Sequence, residues 1–164
     1  MLNDAVILGG SFAGLSAALQ LARARRSVVV IDAGQRRNRF AATSHGFLGQ
    51  DGSSPDAIVA AARSQLLAYP TVTLINGTAE RTERQADGFR IEIRSSAAVS
   101  CRKLILATGV ADRLPVIPGL QERWVKSVFH CPYCHGYELN KGRIAVLAVN
   151  AVSMHQALML PDWG

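Results

Sequence analysis

Residues 130–138, HCPYCHGYE, carry two of the chain's three cysteines, Cys131 and Cys134, flanked by His130 and His135. Three chemistries use such residues at such spacing. Cys-x-x-Cys is the spacing of a redox dithiol, the two cysteines and two histidines together could ligate zinc, and Cys-x-x-Cys-His is the attachment pattern of a c-type haem. Covalent haem requires export and an axial-ligand scheme, which nothing else in the sequence suggests. Zinc requires four ligands in a tetrahedron, yet each histidine is adjacent to a cysteine and no second pair follows at finger spacing. A dithiol requires only the pair, a means of lowering one thiol's pKa, and an electron partner. The dithiol reading is therefore favoured, with a zinc-holding, non-enzymatic module as the alternative.

A candidate electron partner lies at the other end of the chain. The segment AVILGGSFAGLSAALQLARARRSVVVID reads as strand, glycine turn, helix, strand. A dinucleotide turn needs one glycine for the tight bend, a second for close approach to pyrophosphate, and a third for packing helix on strand. Gly9 and Gly14 fill the first and third places. Ser11 holds the second, where its hydroxyl can hydrogen-bond phosphate, and the helix opening at about Ala13 directs its free N–H groups there. Asp32 ends the next strand, about 20 residues on, where an acid accepts from ribose hydroxyls. Arg36, Arg37 and Arg39 follow, suited to a 2′-phosphate or to the adenosine half of a flavin dinucleotide. His45 and Asp51 read as hydrogen-bonded turn residues in preference to cofactor contacts.

The elements that must position these groups are legible in the periodicity. Residues 5–8 form a short apolar strand, residues 13–25 an amphipathic helix, and SVVVID a second strand. Residues 32–54 lack periodicity and read as a long functional loop. A helix starts at Ser54-Pro55-Asp56 and stops at Pro70, followed by a strand in TVTLING. FRIEIR alternates strictly and predicts a half-exposed antiparallel strand. KLILATG predicts a buried strand ending in glycine. Pro115, Pro118 and Gly119 mark a boundary, after which GRIAVLAV predicts a buried strand and MHQALML a helix. The fold class is thus α/β: a Rossmann-like domain over residues 1–116, with a parallel sheet plus a small antiparallel sheet, then the start of a second nucleotide-binding-type domain over residues 117–164. A lone strand and helix cannot close a core, so the chain is expected to be a fragment of a longer protein.

With 164 residues and 49% hydrophobic content the chain can bury a core. The net charge of +6 is scattered, with few aromatics interleaved, which argues against nucleic acid. No leader pattern and no bilayer-length apolar run are present, so a cytoplasmic protein without a membrane partner is expected. Cys101 is expected to pack inside a strand.

With the glycine turn, Asp32, LILATG, a proline-marked crossover and the Cys-x-x-Cys in that order, residues 4–164 resemble the first half of the thioredoxin reductase family of pyridine nucleotide disulfide oxidoreductases. HCPYCHGYE is similar to the branch that includes the dithiol oxidases of disulfide natural products. The resemblance implies an FAD-dependent homodimer acting on a small-molecule or protein disulfide or dithiol. It assigns the FAD pyrophosphate to residues 9–14 (Gly9, Ser11, Phe12, Ala13 and Gly14) and the adenosine ribose to Asp32, and Arg39 is counted with them from the loop arginines suited to the adenosine half. Ala107, Thr108 and Gly109 match the second flavin-domain signature. Cys134 would face the flavin, Cys131 the substrate, and His135 stands where the family has an acid–base aspartate. In reductases the strand at IAVLAV leads to a glycine-rich NADPH turn. Here residues 148–153 contain no glycine, which counts against NADPH. Electron flow from nicotinamide to disulfide, or from a small dithiol to flavin and oxygen, are the two directions the resemblance allows.

Overall fold

The computed structural model describes residues 2–164, which divide into two compact units. One comprises the residues up to Arg39 together with Asp56–Ala111, and the other Phe40–Pro55 with Asp112–Gly164.

The first unit is built on a six-stranded sheet of order β3-β2-β1-β6-β5-β4. Its strands are β1 (Leu2–Leu8), β2 (Val28–Asp32), β3 (Val72–Asn76), β4 (Ala79–Gln85), β5 (Gly88–Ile93) and β6 (Ser96–Leu106). β3, β2, β1 and β6 run parallel, while β5 is antiparallel to both β6 and β4. The helices are α1 (Phe12–Arg23) and α2 (Pro55–Leu67). Continuous apolar runs are needed in β1 and β2 because both sheet faces are covered. Ile7, Val28 and Val30 pack with Leu15, Ala18 and Ala22 of α1 and Val59 and Leu66 of α2. The alternate residues Val6, Leu8, Val29 and Ile31 pack instead with Ile91, Ile93 and Cys101. β6 makes this second cluster possible: residues 100–106 pair with β1, while residues 96–101 pair with β5 and bring its apolar face into the core. Each fully buried Ile or Val here contributes about 1.5–3 kcal/mol of transfer free energy.

Two sequence expectations need correction, and one strand was not announced by the sequence. KLIL is not uniformly buried: Lys103 is exposed, and Leu106 is 70% exposed at the end of the strand, beyond both clusters. β4, with sequence AERTERQ, has no apolar alternation to announce it; it is an edge strand held by backbone pairing to β5, with charges that discourage further pairing. GRIAVLAV forms no strand, and Val146, Leu147 and Val149 are exposed. No neighbouring strand in that unit offers its backbone groups a ladder, and apolar content cannot replace one.

The second unit contains the short helices α3 (Leu120–Arg123) and α4 (Pro132–His135), a 3-10 turn at Tyr137–Leu139, and α5 (Ser153–Met159). Among the described residues no helix is long and apolar enough to cross a membrane.

Candidate functional site

In the first unit, the strand order reverses between β1 and β6, and their carboxyl ends frame the glycine turn. This is where ligands bind in open α/β sheets. Gly9 has φ +107°, its N–H donates to Ile31 O at 2.8 Å, and a Cβ there would strike the Ala107 carbonyl oxygen. Ala107 N–H donates to Leu8 O at 2.8 Å, tying the end of β6 to β1. A Cβ on Gly14 would strike the Gly9 carbonyl, so α1 sits as close to the turn as backbone atoms allow. Ser11 is the extended N-cap residue of α1, but its side chain makes no capping hydrogen bond, and no acid occupies the first turn. The first-turn N–H groups of an α-helix have no acceptor within the helix itself, so the start of α1 turns backbone donors toward this bend. Gly109 has φ +65° with open space around it, so a left-handed turn follows the exposed Thr108.

Asp32 joins this cradle from β2. Its Oδ1 accepts from Gly34 N–H at 3.2 Å, and Arg63 Nη1 of α2 lies 3.7 Å from its Oδ2. Arg63 Nη2 also donates to Asn76 Oδ1 at 2.9 Å. Arg36 pairs with Asp56, and its Nε is buried without a hydrogen-bond partner. Arg39 is exposed, with Nη1 donating to Arg36 O at 2.7 Å. A turn whose glycines admit no Cβ, an uncapped helix start and a leftover buried donor together fit the pyrophosphate and adenosine end of FAD. Sequence reasoning missed Arg63 and Asn76: their roles come from tertiary approach to Asp32, which spacing does not encode.

In the second unit, Cys131 and Cys134 form a disulfide with Cα atoms 5.4 Å apart, Cys131 serving as N-cap residue and Pro132 as first residue of α4. Both cysteines and His135 are half-buried. The His135 ring packs against Phe129 with centroids 5.2 Å apart. Burial holds the His135 imidazole below its ordinary pKa, opposed by the Glu138 carboxylate and reinforced by His45. Gly136 is buried because Trp163 lies over it, and the Trp163 ring also meets Tyr133 edge-on at 5.0 Å. His45 and Asp51 are turn residues as expected: Asp51 Oδ1 accepts from Gly46 N–H at 2.8 Å and lies 3.5 Å from His45 Nδ1. Unexpectedly, His45 Nε2 also lies 3.5 Å from Glu138 Oε1. Among the described residues no group of three or more His, Cys, Asp or Glu side chains is placed to hold a metal.

Residues 148–153 form a self-contained turn. Ser153 Oγ accepts from Val149 N–H at 3.1 Å and from Asn150 N–H at 3.4 Å, and Asn150 Oδ1 accepts from Val152 N–H at 2.9 Å.

Residues 3–152 match the family model described as pyridine nucleotide-disulphide oxidoreductase. The chain is 43% identical over 151 residues to "Thioredoxin reductase tcpT" of Claviceps purpurea, covering 89% of this chain and 46% of that protein. It is 39% identical to "Thioredoxin reductase aclD" of Aspergillus oryzae, covering 93% of this chain and 49% of the other. The crystal structure of an oxidoreductase from Agrobacterium tumefaciens superposes with a TM-score of 0.95 at 55% identity, covering 100% of this chain and 56% of that one. The crystal structure of HlmI gives 0.94 at 40% identity, covering 99% and 52%. The chain thus spans about half the length of the relatives it matches.

Proposed function

The chain belongs to the pyridine nucleotide-disulphide oxidoreductase family, and from that premise we propose that it carries the cofactor cradle and the working dithiol of an FAD-dependent, thioredoxin reductase-like thiol–disulfide oxidoreductase. The family is FAD-dependent, with NAD(P)H as the usual second cofactor. The observation that carries the proposal is the half-buried Cys131–Cys134 disulfide, followed directly by an imidazole whose pKa burial lowers.

Residues 9–14 would hold the pyrophosphate, with Ser11 donating its hydroxyl, and Asp32 would accept from the adenosine ribose. Arg39 and residues 107–109 would border the same cofactor. When bound, FAD supplies the two-electron donor or acceptor that the dithiol needs to turn over.

The exchange itself uses the chain's own sulfurs. A substrate thiolate attacks Cys131 Sγ, the Cys131–Cys134 bond breaks, and Cys134 leaves as the thiolate. The second substrate thiol then attacks the mixed disulfide, forming the substrate disulfide and releasing Cys131. The electron pair now resides on the two cysteines, and His135 can accept a proton from an attacking thiol. The same steps reversed reduce a substrate disulfide.

Residues 148–153 favour the oxidising direction. They lack glycine, and the N–H groups that a second pyrophosphate would require are already bonded to Ser153 and Asn150. These residues do not fit NADPH, which supports a small-molecule or protein dithiol as electron source. Anaerobic mixing of the flavin-bound protein with dithiothreitol or with NADPH tests this. Flavin absorbance should be lost with the dithiol and retained in Cys134→Ser. Rapid loss with NADPH overturns the oxidising direction, and loss with neither reagent overturns the function.

A further inference from the structure

The loop histidine His45 reaches the dithiol segment from far earlier in the chain. Its ring is contacted on both nitrogens: Nδ1 stands 3.5 Å from Asp51 Oδ1, and Nε2 stands 3.1 Å from Thr43 Oγ1 and 3.5 Å from Glu138 Oε1. Asp51 is itself fixed by the Gly46 N–H at 2.8 Å, so the loop holds His45 from its own side. Glu138 belongs to the turn that directly follows α4, one turn beyond His135.

A contact at this distance, with the Glu138 side chain 47% exposed, contributes at most about 1 kcal/mol to stability. Stability is a weak reason for such an arrangement. Its place in the segment that directly follows His135 gives a stronger one.

We propose that His45, anchored by Asp51 and paired with Glu138, is a positioning residue for the dithiol: it partners the Glu138 carboxylate and offsets the negative charge that Glu138 presents to the His135 segment beside Cys134. The pairing stands on geometry, while its consequence for thiol exchange rests on the function proposed above.

The groups that act on His135 are Glu138 from its own segment and His45 from the loop, and they act in opposite directions. Glu138 favours the imidazolium, while His45 and burial favour the neutral ring. A neutral His135 is a base ready to take a thiol proton; a charged one holds a thiolate instead. Burial sets the main bias of His135 toward the neutral ring, and the Asp51–His45–Glu138 array adjusts the balance between these roles.

The test is the titration of the four histidine rings by NMR, with His135 assigned through His135→Asn. In His45→Asn the Glu138 charge acts unopposed, and the His135 midpoint should rise by about half a pH unit. In Glu138→Gln it should fall by about the same amount. His45→Gln, which keeps a polar group toward Thr43 and Glu138, should raise the midpoint as His45→Asn does and serves if the shorter amide fails to fold. The pH profile of iodoacetamide alkylation of the reduced cysteines should move in these variants too. Midpoints unchanged in both His45→Gln and Glu138→Gln overturn the inference. Failure of the wild-type disulfide to exchange with dithiothreitol would overturn the proposed function instead, leaving the His135 titration readable.

Discussion

Asp32 packs against the backbone of Gly10 so closely that a Cβ on Gly10 would stand 2.7 Å from the Asp32 Cβ and 2.9 Å from its Oδ2. The carboxylate is thereby pressed against the turn that would hold pyrophosphate, with Gly34 N–H and Arg63 fixing its other side.

Gly10→Ala must therefore displace Asp32, since Gly34 and Arg63 leave it little alternative position. FAD affinity should fall by about tenfold, or about 1.4 kcal/mol, in a fluorescence titration. Asp32→Asn should lower it without disturbing the fold. An affinity unchanged in Gly10→Ala would mean that Asp32 does not hold the ribose.

Most of this cradle was legible in the sequence because its determinants are local. Gly9 and Gly14 sit at fixed offsets from a strand and a helix, and Asp32 ends the next strand. The uninterrupted apolar residues of β1 and β2 announced a sheet covered on both faces. What was not legible depends on residues distant in the chain. Arg63 reaches Asp32 from α2, and His45 reaches Glu138 from a loop whose composition suggests only turns. GRIAVLAV failed as a strand for the complementary reason: its side chains suit one, yet a strand exists only where a neighbour satisfies its backbone. β4 shows the converse, a strand made by its neighbour despite its polar sequence.

Cys101 lies fully buried in β6, and burial pushes its thiol pKa up, so it should behave as a packing residue. After mild reduction, a thiol reagent such as Ellman's should label Cys131 and Cys134 rapidly in the native protein. Cys101 should react only on unfolding. Three rapidly reacting thiols would mean that β6 opens far more readily than its place in the core implies.

His135 also links stability to pH. Its pKa lies below the ordinary imidazole value of 6.5 because burial disfavours the charged ring. The unfolded chain therefore takes up the proton first as pH falls. The stability that the neutral ring permits is complete above about pH 6.5 and is lost as pH falls from there through the lower folded value. Urea midpoints between about pH 5 and 8 should show this loss in the wild type and a smaller one in His135→Asn. Identical pH profiles would show that His135 is not held neutral by its surroundings.

Gly136 and Trp163 form a close fit of a different kind from the left-handed glycines. Gly136 has φ −72°, which any residue adopts, whereas its missing side chain leaves room for the indole. A Cβ there would strike Trp163 Cδ1 and stand 2.8 Å from Nε1 and 2.5 Å from the Pro132 carbonyl oxygen. Gly136→Ala should thus destabilise the dithiol turn by about 1–3 kcal/mol through overpacking. Tryptophan emission should shift to the red as the Trp163 ring is displaced, read in a Trp124→Phe background. Because Trp163 is one of two obstacles, Trp163→Ala should remove part of the penalty, and the double variant should be less unstable than the summed single effects. Strict additivity would place the whole cost at Pro132 O and show that the indole yields freely, so that Trp163 does not hold the Cys131–Cys134 turn in place.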